Sequence, residues 1–292
     1  MKTMQSSLRN IANVRARLGE GPCWHPDDHC LYWVDIYNHR VHRLEPTTDQ
    51  HQFFDVGDVV GCIAPAGTNR LIMALRNQLA FLDTQSGRAT PIVTIEHSHP
   101  NIRFNDGKCD AAGRFWVGSI SAEPDMACLY CYDAAGNVNV IETGLTISNG
   151  LGWSPDNQTF YLTDSYRHRI YAYNFDLTSG QLSDRRVLLD FQHEPFEPDG
   201  LTIDQEGCIW SAMWDGWCLI RFDPAGQEMM RVQMPVQRPT CCTFGHNNLT
   251  TLYITTASIG LSETEIEASF YSGDVFSLQT NVTGLPTYAF QG

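Results

Sequence analysis

The sequence predicts an all-β fold, a six-bladed β-propeller with four strands in each blade. A turn-like cluster followed by a short β-branched and aromatic run recurs six times, with intervals of 39 to 49 residues between its central positions. Those central positions are Trp33, Ile72, Trp116, Tyr161, Trp210 and Tyr253. No segment of useful length shows helical periodicity, and repeats of this length built from short strands are typical of propellers.

Each repeat supplies the same elements in the same order. The turn and second strand appear in HPDDHCLYWVD (25–35), PAGTNRLIMAL (65–75), DAAGRFWVGS (110–119), SPDNQTFYLTD (154–164), DQEGCIWSAM (204–213) and GHNNLTTLYITT (245–256). A further strand-like run follows each copy and ends in another turn. One blade cannot bury its own faces, so residues 1–292 are expected to form a single domain. The stretch Ile11–Arg17 is expected to pair with strands of the last repeat and close the ring.

Composition excludes several classes of protein. Hydrophobic residues make up 42% of the chain and charged residues 18%, which excludes a disordered or fibrous chain. The net charge of −14 would repel phosphate backbones, so no nucleic-acid partner is expected. No apolar run approaches the roughly 18 residues of a membrane span, and the first 20 residues show no secretory signal. A cytoplasmic protein with ten reduced, mostly buried cysteines is therefore predicted.

A second repeated feature lies 10 to 13 residues before the central positions, where the innermost strand of each blade should begin. Five of these positions carry an X-Gly pair: Glu20-Gly21, Val60-Gly61, Asp106-Gly107, Asn149-Gly150 and Asp199-Gly200. The sixth lies near Cys241. Such pairs are common as strand-entry turns. Equivalent repeat positions nevertheless occupy equivalent places around the axis, so four oxygen-bearing side chains should meet at one mouth of the channel. Carboxylates that converge in this way favour a bound divalent cation.

The segment RFNDGK (103–108) adds hydrogen-bond donors to the same mouth. Arg103 and Asn105 lie just before a channel position and should reach a ligand placed over the metal. Glu123 lies in the loop SISAEPD, where periodicity alone predicts a solvated acid.

These motifs resemble those of the senescence-marker-protein/gluconolactonase (regucalcin-like) family of sugar lactone hydrolases. The similarity rests on LGEGPCW (18–24), RFNDGK (103–108), SNGLGWSPD (148–156) with YLTDS (161–165), and EPDGLTID (197–204) with CIW (208–210). The resemblance implies a six-bladed propeller with one divalent cation (Ca, Zn, Mg, Mn or Fe(II)) held by Glu20, Asn149 and Asp199. It also implies that Arg103, Asn105 and Glu123 contact the sugar lactone.

The function predicted from the residues and the resemblance together is metal-dependent hydrolysis of a sugar lactone to the aldonic acid. Glucono-, xylono-, arabinono- and galactonolactones are the expected substrate type. The cation would polarise the lactone carbonyl, and Asp199 is the predicted general base, with water activated by the metal as the alternative. Asp106 is interpreted as a group outside the metal ligands or on the substrate side. No G-x-S-x-G or H-E-x-x-H pattern supports covalent or zincin chemistry.

Two other classes of function remain open on sequence grounds. One is a non-catalytic, calcium-binding propeller, because a fold does not fix a function. The other is a metal-dependent propeller esterase or phosphotriesterase, although a pocket with Arg and Asn favours a hydroxylated substrate. The expected partner is a small-molecule sugar lactone, without nucleic acid or membrane, and the expected assembly is a monomer or weak homodimer.

Overall fold

The computed structural model of the protein describes residues 7–292 and consists of six four-stranded antiparallel sheets arranged as the blades of a propeller. Strands are numbered along the chain, beginning with β1 (Arg9–Ala12), which belongs to the sixth blade. This architecture confirms the predicted fold class and the four strands per blade. The predicted domain bounds, 1–292, include residues 1–6, which lie outside the described part of the chain.

The first three blades follow one another along the chain. The first contains β2 (Gly19–His25), β3 (Cys30–Asp35), β4 (Arg40–Glu45) and β5 (Gln50–Asp55). The second contains β6 (Val60–Pro65), β7 (Arg70–Leu75), β8 (Gln78–Asp83) and β9 (Ala89–Thr94). The third contains β10 (Arg103–Cys109), β11 (Phe115–Ile120), β12 (Ala127–Tyr132) and β13 (Val138–Leu145).

The remaining three blades complete the ring. The fourth contains β14 (Ser148–Trp153), β15 (Thr159–Asp164), β16 (Arg169–Asp176) and β17 (Gln181–Asp190). The fifth contains β18 (Glu197–Ile203), β19 (Ile209–Trp214), β20 (Cys218–Phe222) and β21 (Glu228–Gln233). The sixth contains β22 (Pro239–Gly245), β23 (Thr251–Thr256) and β24 (Val275–Gln279), with β1 as its outermost strand.

The N-terminal strand closes the ring, as the sequence predicts. β1 pairs antiparallel with β24, and Asn10 lies opposite Phe276. The strand begins at Arg9 and ends at Ala12, so only the first part of the predicted Ile11–Arg17 segment is paired. The rest of that segment leads to β2, and it is anchored where the Ala16 N–H donates to the Gly273 carbonyl at 2.8 Å.

The hydrophobic core lies between neighbouring blades. The second strand of the first blade, β3, is buried along its whole length, whereas the outermost strand β5 is almost wholly exposed. Trp33, Trp116 and Trp210 occupy equivalent buried places in second strands. Large side chains recur at this place because it is where adjacent sheets pack against each other.

Helical structure is slight within residues 7–292. Two short 3-10 segments follow second strands, at Ile36–Asn38 and Ser165–Arg167, and one helix, α1 (Glu263–Ala268), lies between β23 and β24. Ser262 and Glu265 cap α1 reciprocally, which explains how so short a helix begins. No helix in this part of the chain is long and apolar enough to cross a membrane. All ten cysteines are free, as predicted.

Candidate functional site at the channel mouth

Every innermost strand has an irregularity in its pairing, at the X-Gly position in five blades and between Pro239 and Cys241 in the sixth. The register between first and second strands shifts between residues 20 and 23 in the first blade, 148 and 151 in the fourth, and 198 and 201 in the fifth. The other three blades have equivalent shifts. A bulge removes a residue from the ladder and re-aims its side chain. Asp106, Asn149 and Asp199 fall inside these irregular stretches and are left out of the ladder, whereas Glu20 is the last paired residue before the shift in the first blade.

Glycine is required in these pairs because the innermost strands approach each other closely. A Cβ atom at Gly61 would lie 2.5 Å from the Asn105 carbonyl oxygen, and one at Gly150 would lie 2.7 Å from the Asp199 carbonyl oxygen. Both distances are far below normal van der Waals contact. The glycines thus allow backbones from neighbouring blades to pack side by side around the mouth.

One pocket of about 390 Å³ at this mouth brings together five of the six site residues predicted from the sequence. These are Glu20, Arg103, Asn105, Asn149 and Asp199, all of them buried. They come from four different blades, so only closure of the ring assembles the pocket. Their convergence is a feature of the structure, and their individual roles stay predictions.

Asn149 is held in one orientation by a buried serine. Its amide Nδ2 donates to the Ser165 hydroxyl at 3.1 Å, and that hydroxyl donates to the Pro198 carbonyl at 2.7 Å. The Asn149 Oδ1 atom is buried without a hydrogen-bond partner among the described residues. Asp199 Oδ1 is also buried and unpartnered in that part of the chain. Buried oxygens are nearly always paired, so two orphans in one pocket indicate a place for a ligand.

Burial and mutual repulsion shift the carboxylic acids of the mouth toward their neutral forms. Desolvation, with a smaller contribution from the neighbouring charge of Asp106, raises the pKa of Glu20 to about 8. Desolvation and the charges of Glu20 and Asp106 raise the pKa of Asp199 well above its ordinary value, while a hydrogen bond from Asn149 partly opposes that shift. Acids in this state would ionise readily next to a bound cation, which removes the repulsion.

The donor set is suited to a hard divalent cation. Two carboxylates and one amide oxygen are the ligand types that calcium, magnesium and manganese prefer. Within residues 7–292, no three His, Cys, Asp or Glu side chains form a group able to hold a metal ion. Beside the two carboxylates, the pocket offers the buried amide oxygen of Asn149 as a third oxygen donor.

Arg103 and Asn105 support each other beside the acids. Arg103 Nη1 donates to the Asn105 Oδ1 atom at 2.9 Å and to the Phe104 carbonyl at 2.8 Å. Asn105 Nδ2 donates to the Ser148 carbonyl at 3.1 Å. The guanidinium is also stacked on the Tyr37 ring, 5.5 Å from its centroid. These contacts fix a cationic donor at the pocket wall before any ligand binds.

Neither Asp106 nor Glu123 lines the mouth pocket, although the charge of Asp106 acts on Glu20 and Asp199. Asp106 lines a separate cavity of about 70 Å³ deeper in the channel, together with Lys108, and it does not line the mouth pocket. Its pKa is raised by burial, and Lys108 opposes that shift. Glu123 is exposed in the loop between β11 and β12, where its N–H donates to the Ser121 hydroxyl at 3.0 Å. The turn at Ser121 leaves Glu123 outside the pocket, so its predicted substrate contact rests on the resemblance alone.

Several pocket residues were not predicted from the sequence. They are Tyr37, Ser165, Glu197, Trp214 and Arg238. The sequence did contain a signal for Tyr37 and Ser165, because each lies within two residues after an Asp that ends the second strand of its blade. Asp35 accepts the N–H groups of residues 17 and 18, and Asp164 accepts those of residues 146 and 147. Alignment of the repeats on these aspartates would have placed Tyr37 and Ser165 at the mouth.

The fold and the pocket define a six-bladed propeller with an oxygen-rich ligand site at one mouth of its channel. The family model described as SMP-30/Gluconolactonase/LRE-like region matches residues 18–258. The chain belongs to this family, and several of the relatives that it matches are named as sugar lactonases. The resemblance drawn from the motifs is thereby confirmed.

Individual relatives match along almost the whole chain. The chain is 34% identical to the regucalcin of Danio rerio over 288 residues, which are 97% of both proteins. It is 33% identical over 292 residues to the pentonolactonase XacC of Haloferax volcanii, covering 97% of both. Among solved structures, it superposes on a calcium-binding protein described as regucalcin from Agrobacterium tumefaciens with a TM-score of 0.93 and 25% identity, covering 97% of each chain.

Proposed function

We propose that the protein is a divalent-metal-dependent sugar lactonase that converts an aldonolactone to the aldonic acid. The observation that carries the proposal is the pair of buried, unpartnered oxygens, Asn149 Oδ1 and Asp199 Oδ1, facing one pocket with the Glu20 carboxylate. Glu20, Asn149 and Asp199 would hold the cation. When bound, a divalent cation in such a site supplies Lewis-acid polarisation of a carbonyl oxygen.

The protein's own side chains account for positioning and proton transfer. Asp199 would accept the proton of the water that adds to the lactone carbonyl carbon, because its carboxylate is the one with a free, buried oxygen beside Asn149. Arg103 and Asn105 would bind ring hydroxyls and hold the carbonyl carbon within reach of that water. The Arg103 guanidinium also lies where it can stabilise negative charge that develops on the carbonyl oxygen.

Substrate class follows from the character of the pocket wall. The fixed Arg103–Asn105 pair presents charged and amide groups that hydroxyls can satisfy, whereas an apolar ester would leave them buried without partners. Pentonolactones and hexonolactones are therefore favoured over aryl esters and phosphotriesters. This choice is also consistent with the relative named as a pentonolactonase.

A metal-stripped sample tests the proposal directly. Hydrolysis of glucono-, galactono-, xylono- and arabinonolactone, an aryl ester and a phosphotriester should be measured before and after Ca²⁺, Mg²⁺, Mn²⁺ or Zn²⁺ is added back. We expect lactone hydrolysis only with a cation and little ester or phosphotriester turnover. Lactone hydrolysis that persists at full rate after chelation would show that the metal mechanism is wrong.

Three variants separate the proposed roles. Asp199→Asn keeps an oxygen ligand but removes the base, so it should lose turnover while it still binds a cation. Glu20→Gln removes one negative charge and should mainly weaken cation affinity. Asn149→Ala removes a neutral ligand and should be partly rescued by excess cation. Near-native turnover of Asp199→Asn at saturating cation would eliminate Asp199 as the base.

A second candidate function is calcium binding without catalysis. It is favoured by the structural neighbour described as a calcium-binding protein. The same pocket would serve both functions, so the lactone panel distinguishes them. Tight Ca²⁺ binding without hydrolysis of any lactone would support this second function. A cytoplasmic location and a monomer or weak homodimer remain part of the proposal.

A further inference from the structure

A second pocket of about 700 Å³ opens beside the mouth pocket, and we call it the arginine chamber. The two cavities share the wall formed by Tyr37, Arg103, Ile120 and Ile147. The cationic groups of the chamber are Arg17, Arg76 and Arg103, with His39 beside them. Among the described residues, no Asp or Glu lines it. The mouth pocket, by contrast, contains Glu20, Glu197 and Asp199.

Two of the three arginines, Arg17 and Arg103, lie over an aromatic ring and form no ion pair among the described residues. Arg17 and Arg103 are both placed over the Tyr37 ring, with their guanidinium carbons 5.3 and 5.5 Å from its centroid. Neither forms an ion pair with a carboxylate in residues 7–292. Stacking on an aromatic ring orients a guanidinium without neutralising it.

Arg76, the third arginine, is paired with a carboxylate at the surface. Its Nε and Nη2 atoms both lie 3.2 Å from Asp58 Oδ1, and both side chains are close to half exposed. An exposed ion pair of this kind contributes little free energy, so an anionic ligand can compete for the guanidinium.

The charge of the chamber is opposite to that of the protein. The chain carries a net charge of −14, with 19 Lys and Arg residues against 33 Asp and Glu residues. An anionic substrate would be repelled by most of this surface, and a local patch of one opposite sign attracts it to one place. Guanidinium groups bind the oxygens of phosphates, sulfonates and carboxylates with two parallel hydrogen bonds.

We infer that the substrate is a lactone that carries an anionic group at the end remote from its carbonyl. This inference rests on the proposed lactonase function and adds the substrate's charge to it. The carbonyl end lies in the mouth pocket with Glu20, Asn149 and Asp199. Arg103, which lines both cavities, contacts the ring, and the anionic group lies in the chamber between Arg17 and Arg76.

The experiment compares neutral and charged lactones of the same ring. Values of kcat/KM are measured at saturating cation and low ionic strength for glucono-δ-lactone, its 6-phosphate and its 6-deoxy-6-sulfonate, after subtraction of spontaneous hydrolysis. We expect at least one charged lactone to be preferred by about tenfold or more, the effect of one charge-assisted hydrogen bond. Raised salt should reduce this preference.

Variants test whether the chamber is responsible. Arg17→Gln and Arg76→Gln should each lower kcat/KM for the preferred charged lactone by about tenfold. Both should leave the neutral lactone within about twofold, because neither residue belongs to the mouth pocket. Arg88→Gln is the matched control, since it removes one exposed positive charge from the β8–β9 turn at the opposite end of the blade.

The results that would contradict the lactonase proposal differ from those that would contradict the inference about substrate charge. If no lactone is hydrolysed with any cation, the proposed function itself is wrong. If the neutral lactone is hydrolysed and neither charged lactone is preferred, the lactonase proposal stands and the inference about charge is overturned. If a charged lactone is preferred but Arg17→Gln and Arg76→Gln retain the full preference, the chamber does not bind the anion.

Discussion

Replacing Ser165 by alanine is the sharpest test of how the mouth pocket is organised. The Ser165 hydroxyl accepts a hydrogen bond from the Asn149 amide and donates one to the Pro198 carbonyl, and both partners are buried. The substitution removes no proposed ligand. It frees the Asn149 side chain to rotate, so that Oδ1 is no longer fixed toward the pocket.

The expected magnitude follows from these two hydrogen bonds. Each buried group left without a partner costs about 1–3 kcal/mol of folding free energy, so a measurable loss of stability is expected. Removing a partner that orients a metal ligand typically weakens metal affinity by about 10–100-fold. Because Asp199 and Glu20 are unchanged, turnover at saturating cation should stay within a few-fold of the wild type.

Calorimetric titration with Ca²⁺ and with Mn²⁺, followed by kinetics at saturating cation, measures both effects. Ser211→Ala is the matched control. Ser211 is also a fully buried serine, and its hydroxyl donates to the Ala212 carbonyl at 3.3 Å, but it does not line the mouth pocket. Ser211→Ala should lower the melting temperature while leaving cation affinity intact.

Two results would contradict the proposed role of Ser165 in orienting Asn149. Wild-type cation affinity in Ser165→Ala would mean that Asn149 is not a ligand or is held by other contacts. Equal losses of affinity in Ser165→Ala and Ser211→Ala would mean that the effect reflects general destabilisation of the propeller.

Four further predictions concern pH, packing and fold. In cation-free protein the contribution of Glu20 to the free energy of unfolding should fall as pH rises from about 5 to 8, because the pKa of Glu20 is near its ordinary value of 4.5 when unfolded and about 8 when folded; urea titrations should show this as a stability difference between the wild type and Glu20→Gln that declines over that range. Burial lowers the pKa of His42 to about 3, so the contribution of His42 to stability should fall by about 1 kcal/mol for each unit that the pH drops below 6.5, and the stability difference between the wild type and His42→Phe should show this slope. Gly150→Ala should be strongly destabilising, with a lowered melting temperature, because its Cβ would contact the Asp199 carbonyl oxygen at 2.7 Å; a native melting temperature would contradict the close approach. Far-ultraviolet circular dichroism should show an almost wholly β protein, and a helix content above about one fifth would contradict the propeller.

The repeats in the sequence were enough to predict the propeller fold and the residues at which the innermost strands begin. Short strand-like runs and the turn residues between them can be recognised locally in the sequence. Because the pattern occurs six times, each repeat supports the interpretation of the other five. The alignment therefore selected Glu20, Asp106, Asn149 and Asp199 on the innermost strands without any knowledge of distances, and the family resemblance singled out Glu20, Asn149 and Asp199 as the predicted cation ligands. Trp33, Trp116 and Trp210, which served to align the repeats, are all fully buried in the structure.

Only the tertiary structure decided which of these residues share a pocket and what surrounds them. Asp106 occupies the same repeat position as Glu20 yet lines the deeper cavity, and the turn at Ser121 leaves Glu123 outside the mouth. Arg17 and Arg76 lie 59 residues apart and carry no shared motif, but the closed ring places both in one chamber. Local patterns specify the strands and their register. How deep a side chain lies in the channel, and which residues from distant parts of the chain contact it, depend on how the blades pack around the axis.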